Sequence, residues 1–87
     1  MSEIEIEIEV RYFAAARAAA GTETETLRLP GGTTVLSVVA ELAARGPELA
    51  KVLARCSYLV DGVAVRDKNV PLSTSETLDV LPPFAGG

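Results

Sequence analysis

The chain has 87 residues and a mass of 9.1 kDa, enough for one small domain that buries only roughly 60–65% of its unfolded surface, so a deep active site with several catalytic walls is excluded. Of its residues 48% are hydrophobic, but 13 of these are Ala, which leaves a modest bulky core. The balance of 8 basic and 12 acidic residues gives a net charge of −4 and a pI near 4.7, which argues against binding a phosphate backbone.

The elements follow in chain order. From Glu3 to Phe13 the residues alternate. Ile4, Ile6, Ile8, Val10 and Tyr12 share one side, and Glu3, Glu5, Glu7, Glu9, Arg11 and Phe13 the other, which predicts a strand with one buried face. Ala14 to Ala20 is alanine-rich and stops at Gly21, giving at most two helical turns. Glu23 to Leu29 is a second strand, broken by Pro30-Gly31-Gly32 and paired antiparallel with the first, with Leu27 and Leu29 toward the core. Thr34 is an N-cap, followed by Val35, Val38, Val39, Leu42 and Ala43 on one helical stripe. Gly46 supplies a stop and Pro47 opens a further turn, with Leu49, Val52 and Leu53 on one side. Ser57 to Val60 and Val63 to Arg66 flank Asp61-Gly62, a hairpin signal. Residues 67–76 are polar and turn-rich. Thr77 to Leu81 forms the last strand, with Leu78 and Val80 inward and Leu81 outward, and Pro82-Pro83 ends it.

This order predicts an α+β fold, a β-grasp (ubiquitin-like) mixed sheet with helices on one face and an extended C-terminal tail. Residues 1–81 form the single domain and 82–87 the tail. No internal repeat or compositional break marks a second domain.

The missing residue types narrow the chemistry. There is no His, which removes the usual general base and the commonest zinc ligand. The lone Cys56 makes no internal disulfide and fits a reducing compartment. The start carries neither the basic nor the apolar region of a signal peptide, and no apolar run approaches the ~20 residues of a membrane span. A cytoplasmic setting is expected, with no nucleic acid, membrane or metal partner.

The chemistry is expected in Pro82-Pro83-Phe84-Ala85-Gly86-Gly87. Six residues reach roughly 20 Å, and the prolines hold the exit stiff. Gly86 and Gly87 lack Cβ atoms, so the backbone enters narrow channels. The α-carboxylate of Gly87 then sits at the tip of a thin probe. A carboxylate repels nucleophiles, but joined to AMP it becomes an acyl adenylate that sulfur attacks, a route needing no side-chain catalyst in this chain. Read alone, Gly-Gly also describes a frayed end.

The chain resembles the MoaD family, small subunit of molybdopterin synthase, in Val10-Arg11-Tyr12-Phe13-Ala14-Ala15-Ala16-Arg17, in Leu59-Val60-Asp61-Gly62 and in Leu78-Asp79-Val80-Leu81-Pro82-Pro83-Phe84-Ala85-Gly86-Gly87. The ThiS carriers of thiazole synthesis also end in Gly-Gly, usually without the Pro-Pro-aromatic approach. The MoaD resemblance implies that a MoeB-like adenylating enzyme consumes ATP to activate Gly87 and that a sulfur donor protein converts it to a thiocarboxylate. It implies that the tail (Pro82, Pro83, Phe84, Ala85, Gly86) enters a MoaE-like large subunit within a heterotetramer, where sulfur passes to cyclic pyranopterin monophosphate. It further implies that Phe13, Leu81 and Phe84 make apolar contacts with that subunit, and that a neighbouring contact position falls on the small Ala64. One departure is Thr74-Ser75-Glu76, where the family often has Asp-Gly.

Other residues carry two readings each. Phe13 is either an exposed contact or packed under the Ala helix. The Glu3, Glu5, Glu7, Glu9 row is either a basic-partner face or a solvated face that blocks aggregation. Arg11 and Arg17 either guide an acidic partner or balance nearby Glu. Cys56 is either a persulfide relay or a small buried residue. Three functions share the same adenylate: a molybdopterin sulfur carrier, a carrier for thiazole, cysteine or tRNA thiolation, and a ubiquitin-like modifier joined to lysine.

Overall fold

The computed structural model describes residues 4–83. Eight elements follow one another: β1 (Glu5–Tyr12), α1 (Ala14–Ala20), β2 (Thr24–Pro30), α2 (Val35–Ala43), α3 (Pro47–Leu53), β3 (Ser57–Val60), β4 (Val63–Ala64) and β5 (Thr77–Leu81). The strands form one mixed sheet in the order β2-β1-β5-β3-β4. Among the described residues only the β1–β5 pair is parallel, running from Glu9 opposite Thr77 to Tyr12 opposite Val80. Three helices among the described residues accompany the five strands, in the β-grasp arrangement expected from the element order.

The alternation in β1 is realised: Ile8, Val10 and Tyr12 are buried, and Glu5, Glu7, Glu9 and Arg11 are exposed. They meet Leu29 from β2, Leu78 and Val80 from β5, Tyr58 from β3, and Val35, Val38, Leu42, Leu49 and Leu53 from α2 and α3. Leu72 also joins this core. The polar stretch 67–76 gives no sign of this, because one Leu there makes no periodic pattern. A bridge between Thr34 and Pro71, with Leu72 N–H donating to Thr33 O at 2.8 Å, draws that loop inward.

Thr34 caps α2 as its side chain requires, with Oγ1 accepting from Ser37 N–H at 3.1 Å. The stop assigned to Gly46 takes a different form. The αR residue Ala44 closes α2, and Gly46, with an extended φ of 169°, caps the start of α3 ahead of Pro47. The Asp61-Gly62 turn is realised, with both residues left-handed (φ 48° and 82°), as a two-residue hairpin requires. The strand after it is shorter than expected, Val63–Ala64 instead of Val63 to Arg66. It is one of the two edge strands, so only β3 supplies it with ladder partners.

Candidate functional site

The parallel β1–β5 pairing puts the C-terminal ends of both strands side by side. Tyr12 lies opposite Val80, and Phe13 N–H donates to Val80 O at 3.2 Å. Phe13 therefore stands next to Leu81, where the chain leaves the sheet. The corner between them has a local cause: Ala14 adopts a left-handed φ of 50°, which swings the chain from β1 into α1.

On the face away from the core, Phe13 is 37% exposed. It does not sit beneath α1; it serves as the residue before the helix, in extended geometry. The Arg11 guanidinium lies 5.5 Å from its ring centroid, a cation–π contact. The same guanidinium donates from Nε at 2.7 Å and Nη2 at 2.9 Å to the two oxygens of Asp79. Asp79 is the one buried charged residue among those described. That bidentate pair raises the Arg11 pKa, the hydrogen bond first and the charge second. Arg11 thus answers Asp79, and Arg17 answers Glu23 at 2.9 Å.

Leu59 is opposite Asp79 across β3–β5 and opposite Ala64 across β3–β4, so these three share the face with Arg11. Leu81, opposite Ser57, is half-buried on the sheet's central strand; its outward direction holds, but it lies at the strand's end and not on a lateral edge. Pro82 is buried and Pro83 exposed. Phe84, Ala85, Gly86 and Gly87 lie outside the described residues. The structure thus brings Phe13, Leu81, Pro82 and Pro83 to one end of the sheet. Asp79 was missed as a site residue because 68 positions separate it from Arg11; the charge alternating against Leu78 and Val80 was its only trace.

Cys56 is half-buried, its Sγ donating to Val52 O at 3.2 Å, and burial pushes the thiol pKa up. It is held as a thiol on the core side, which suits packing over nucleophilic duty. Among the described residues no group of three or more His, Cys, Asp and Glu is placed to hold a metal. The described part of the chain offers a contact surface and an exit for the tail.

The ThiS family model matches residues 10–87, which include both the Arg11–Phe13 segment and the Gly-Gly end. The chain belongs to the ThiS family. Its structural neighbours are ubiquitin-like β-grasp proteins of more than one kind. A Pyrococcus furiosus protein assigned as subunit 1 of molybdopterin converting factor is 25% identical, with a TM-score of 0.81 over 91% of this chain and 99% of its own. Small archaeal modifier protein 1 from Methanosarcina acetivorans is also 25% identical, with a TM-score of 0.77 over 97% of this chain and 99% of its own. The complex of subunits 1 and 2 of molybdopterin-converting factor from Helicobacter pylori holds a chain that is 22% identical, with a TM-score of 0.69 over 94% of this chain and 100% of its own, and shows the shared fold. No curated protein matches the sequence. Relative to the MoaD resemblance, the family established is the ThiS family, and the structural neighbours include both a molybdopterin converting factor subunit and a modifier protein. No helix among the described residues is long and apolar enough to cross a membrane.

Proposed function

We propose that this chain is a sulfur carrier and the small subunit of a molybdopterin synthase, with the Gly87 carboxylate as the group that is charged and discharged. The observation that carries the reading is the continuity of the family match from β1 through Gly87, on a fold whose central strand leads straight into Pro82-Pro83 beside an exposed Phe13. A Gly87 carboxylate oxygen attacks the α-phosphorus of ATP and pyrophosphate leaves. Sulfur delivered at the oxidation level of sulfide attacks the acyl carbon and AMP leaves, giving a thiocarboxylate. That sulfur attacks a carbon of cyclic pyranopterin monophosphate as an oxygen substituent leaves it, and water hydrolyses the resulting thioester, which leaves sulfur on the acceptor and restores the carboxylate. ATP is bound by the adenylating enzyme, and this chain needs no resident cofactor.

The apolar face built from Phe13, Leu59 and Leu81 suits a MoaE-like large subunit. The existence of a subunit 1–subunit 2 complex on this fold in Helicobacter pylori supports such a partner. Intact-mass spectrometry after incubation with ATP, a MoeB-like enzyme and a sulfur donor tests the chemistry. One oxygen-to-sulfur exchange is expected, and none in a chain lacking Gly87. The absence of any exchange in the full chain rejects the reading.

A second reading rests on the likeness to small archaeal modifier protein 1: the same adenylate passes Gly87 to a lysine amine. Covalent ladders on cellular proteins that vanish with Gly87 favour it; stable association with a MoaE-like subunit favours the first.

A further inference from the structure

A cleft of about 510 Å³ opens at the root of the tail, on the helix side, lined by Ala15, Lys51, Val52, Arg55, Pro82 and Pro83. Lys51 and Arg55 stand four residues apart, both exposed, on and just after α3. Arg11, Arg17, Arg28 and Arg45 each hold a carboxylate within 4 Å, whereas among the described residues Lys51, Arg55, Arg66 and Lys68 make no ion pair. Of these four only Lys51 and Arg55 line the cleft at the tail's root. The exposed carboxylates of Glu5 and Glu7 lie at the opposite end of β1 from the tail exit. A protein of net charge −4 therefore presents two uncommitted cations where its tail begins.

We propose that the Lys51–Arg55 cleft is a docking site for an acidic segment of the adenylating enzyme that charges the tail. The proposal rests on the sulfur-carrier reading above and adds a contact to it. The charge selects an anionic partner, the tail's length brings any enzyme that works on Gly87 to the root, and the assignment of the large subunit to the Phe13 face leaves this cleft to the adenylating enzyme. Four residues beyond Pro83 reach roughly 13 Å, so an enzyme that brings ATP to Gly87 must close around the tail's root. The apolar face bearing Phe13 is on the other side of the sheet, so an enzyme seated at the root can grip the cleft independently of that face. Two surface cations contribute mainly to encounter and orientation, and they do so most strongly at low salt.

The test is ATP–pyrophosphate exchange catalysed by a MoeB-like enzyme, with the carrier as varied substrate, comparing the full wild-type chain with the Lys51→Glu/Arg55→Glu double variant. Both positions are exposed, so circular dichroism and thermal melting are expected to match wild type. The proposal expects KM for the carrier to rise by about tenfold or more with kcat nearly unchanged, and the salt dependence of KM to flatten. It expects a Lys51→Arg/Arg55→Lys variant to behave as wild type. An unchanged KM overturns it. So does a lower KM, which makes the chain's own Gly87 carboxylate the occupant, and so does a loss confined to affinity for the large subunit. If the wild-type chain itself supports no exchange, the carrier reading falls and takes this proposal with it. A wild-type chain that works beside an indifferent variant rejects the docking site alone.

Discussion

Phe13 shows how one residue serves two structural neighbours. Its backbone ends β1 and precedes α1, while its ring stands outward against Arg11. The substitution Phe13→Asp separates these roles, because Asp is a favoured residue before a helix and supplies the side-chain cap that Phe13 lacks. The melting temperature is expected to hold while affinity for a MoaE-like subunit falls by at least ~1 kcal/mol, read by calorimetry. Unchanged affinity would remove Phe13 from the interface. The exposure of Phe13 was legible from the alternation of β1. Its support was not: Asp79 reaches Arg11 only through the β1–β5 register, which no local pattern encodes. The left-handed Ala14 was equally hidden, since an alanine run carries no sign of a corner. Of the tail, sequence supplies the chemical argument and the described structure supplies the root: Pro82 buried, Pro83 exposed.

Elements are tied together by polar contacts that sequence reading did not foresee. Glu25 on β2 accepts from Tyr12 of β1 at 2.5 Å and from Arg45, just beyond α2, at 2.8 and 3.0 Å. Arg45, burial and Tyr12 act on its carboxyl in that order of size, and the net result is a pKa below the ordinary 4.5. The unfolded chain therefore takes the proton first as pH falls. Stability from this network is complete above the unfolded value and drains away as pH drops through the folded one. Glu25→Gln is expected to cost about 1 kcal/mol at neutral pH, and the gap from wild type to narrow as pH falls below the ordinary carboxyl value of 4.5, measured by denaturation across pH. A constant gap from pH 7 to pH 3 would contradict the assignment. The turn at Asp61 is tied in a similar way. Its N–H donates to Thr77 O and its Oδ1 accepts from Thr77 N–H, both at 2.9 Å, so the hairpin is latched to the start of β5. The turn itself was legible from Asp-Gly, because few dipeptides tolerate two left-handed residues. The latch was not, since it needs β5 in place.

At the scale of the molecule, the two strands nearest the chain's ends occupy the middle of the sheet. That arrangement follows from hydrophobic pattern more than from local propensity: Val10, Leu78 and Val80 have no measurable exposure and hold the centre. The order of elements was sufficient to read the β-grasp, and the parallel pairing joins β2-β1 to β5-β3-β4 in one open sheet, with β2 and β4 as its outer strands. Amides of β1 and β5 are expected to exchange with solvent last, close to the global unfolding limit, and those between Asp67 and Glu76 first. Hydrogen exchange followed by nuclear magnetic resonance would show this. Faster exchange in β1 than in the loop would refute the central placement.

The parallel ladder has a mechanical consequence. A partner that draws the tail into its channel pulls on β5 along its own axis, and β1 and β3 flank that strand from Glu9 opposite Thr77 to Ser57 opposite Leu81. The load is then shared in shear by hydrogen bonds on both sides, not spent one bond at a time as in a strand peeled from an edge. The domain serves as an anchor from which its tip can be tugged without unravelling.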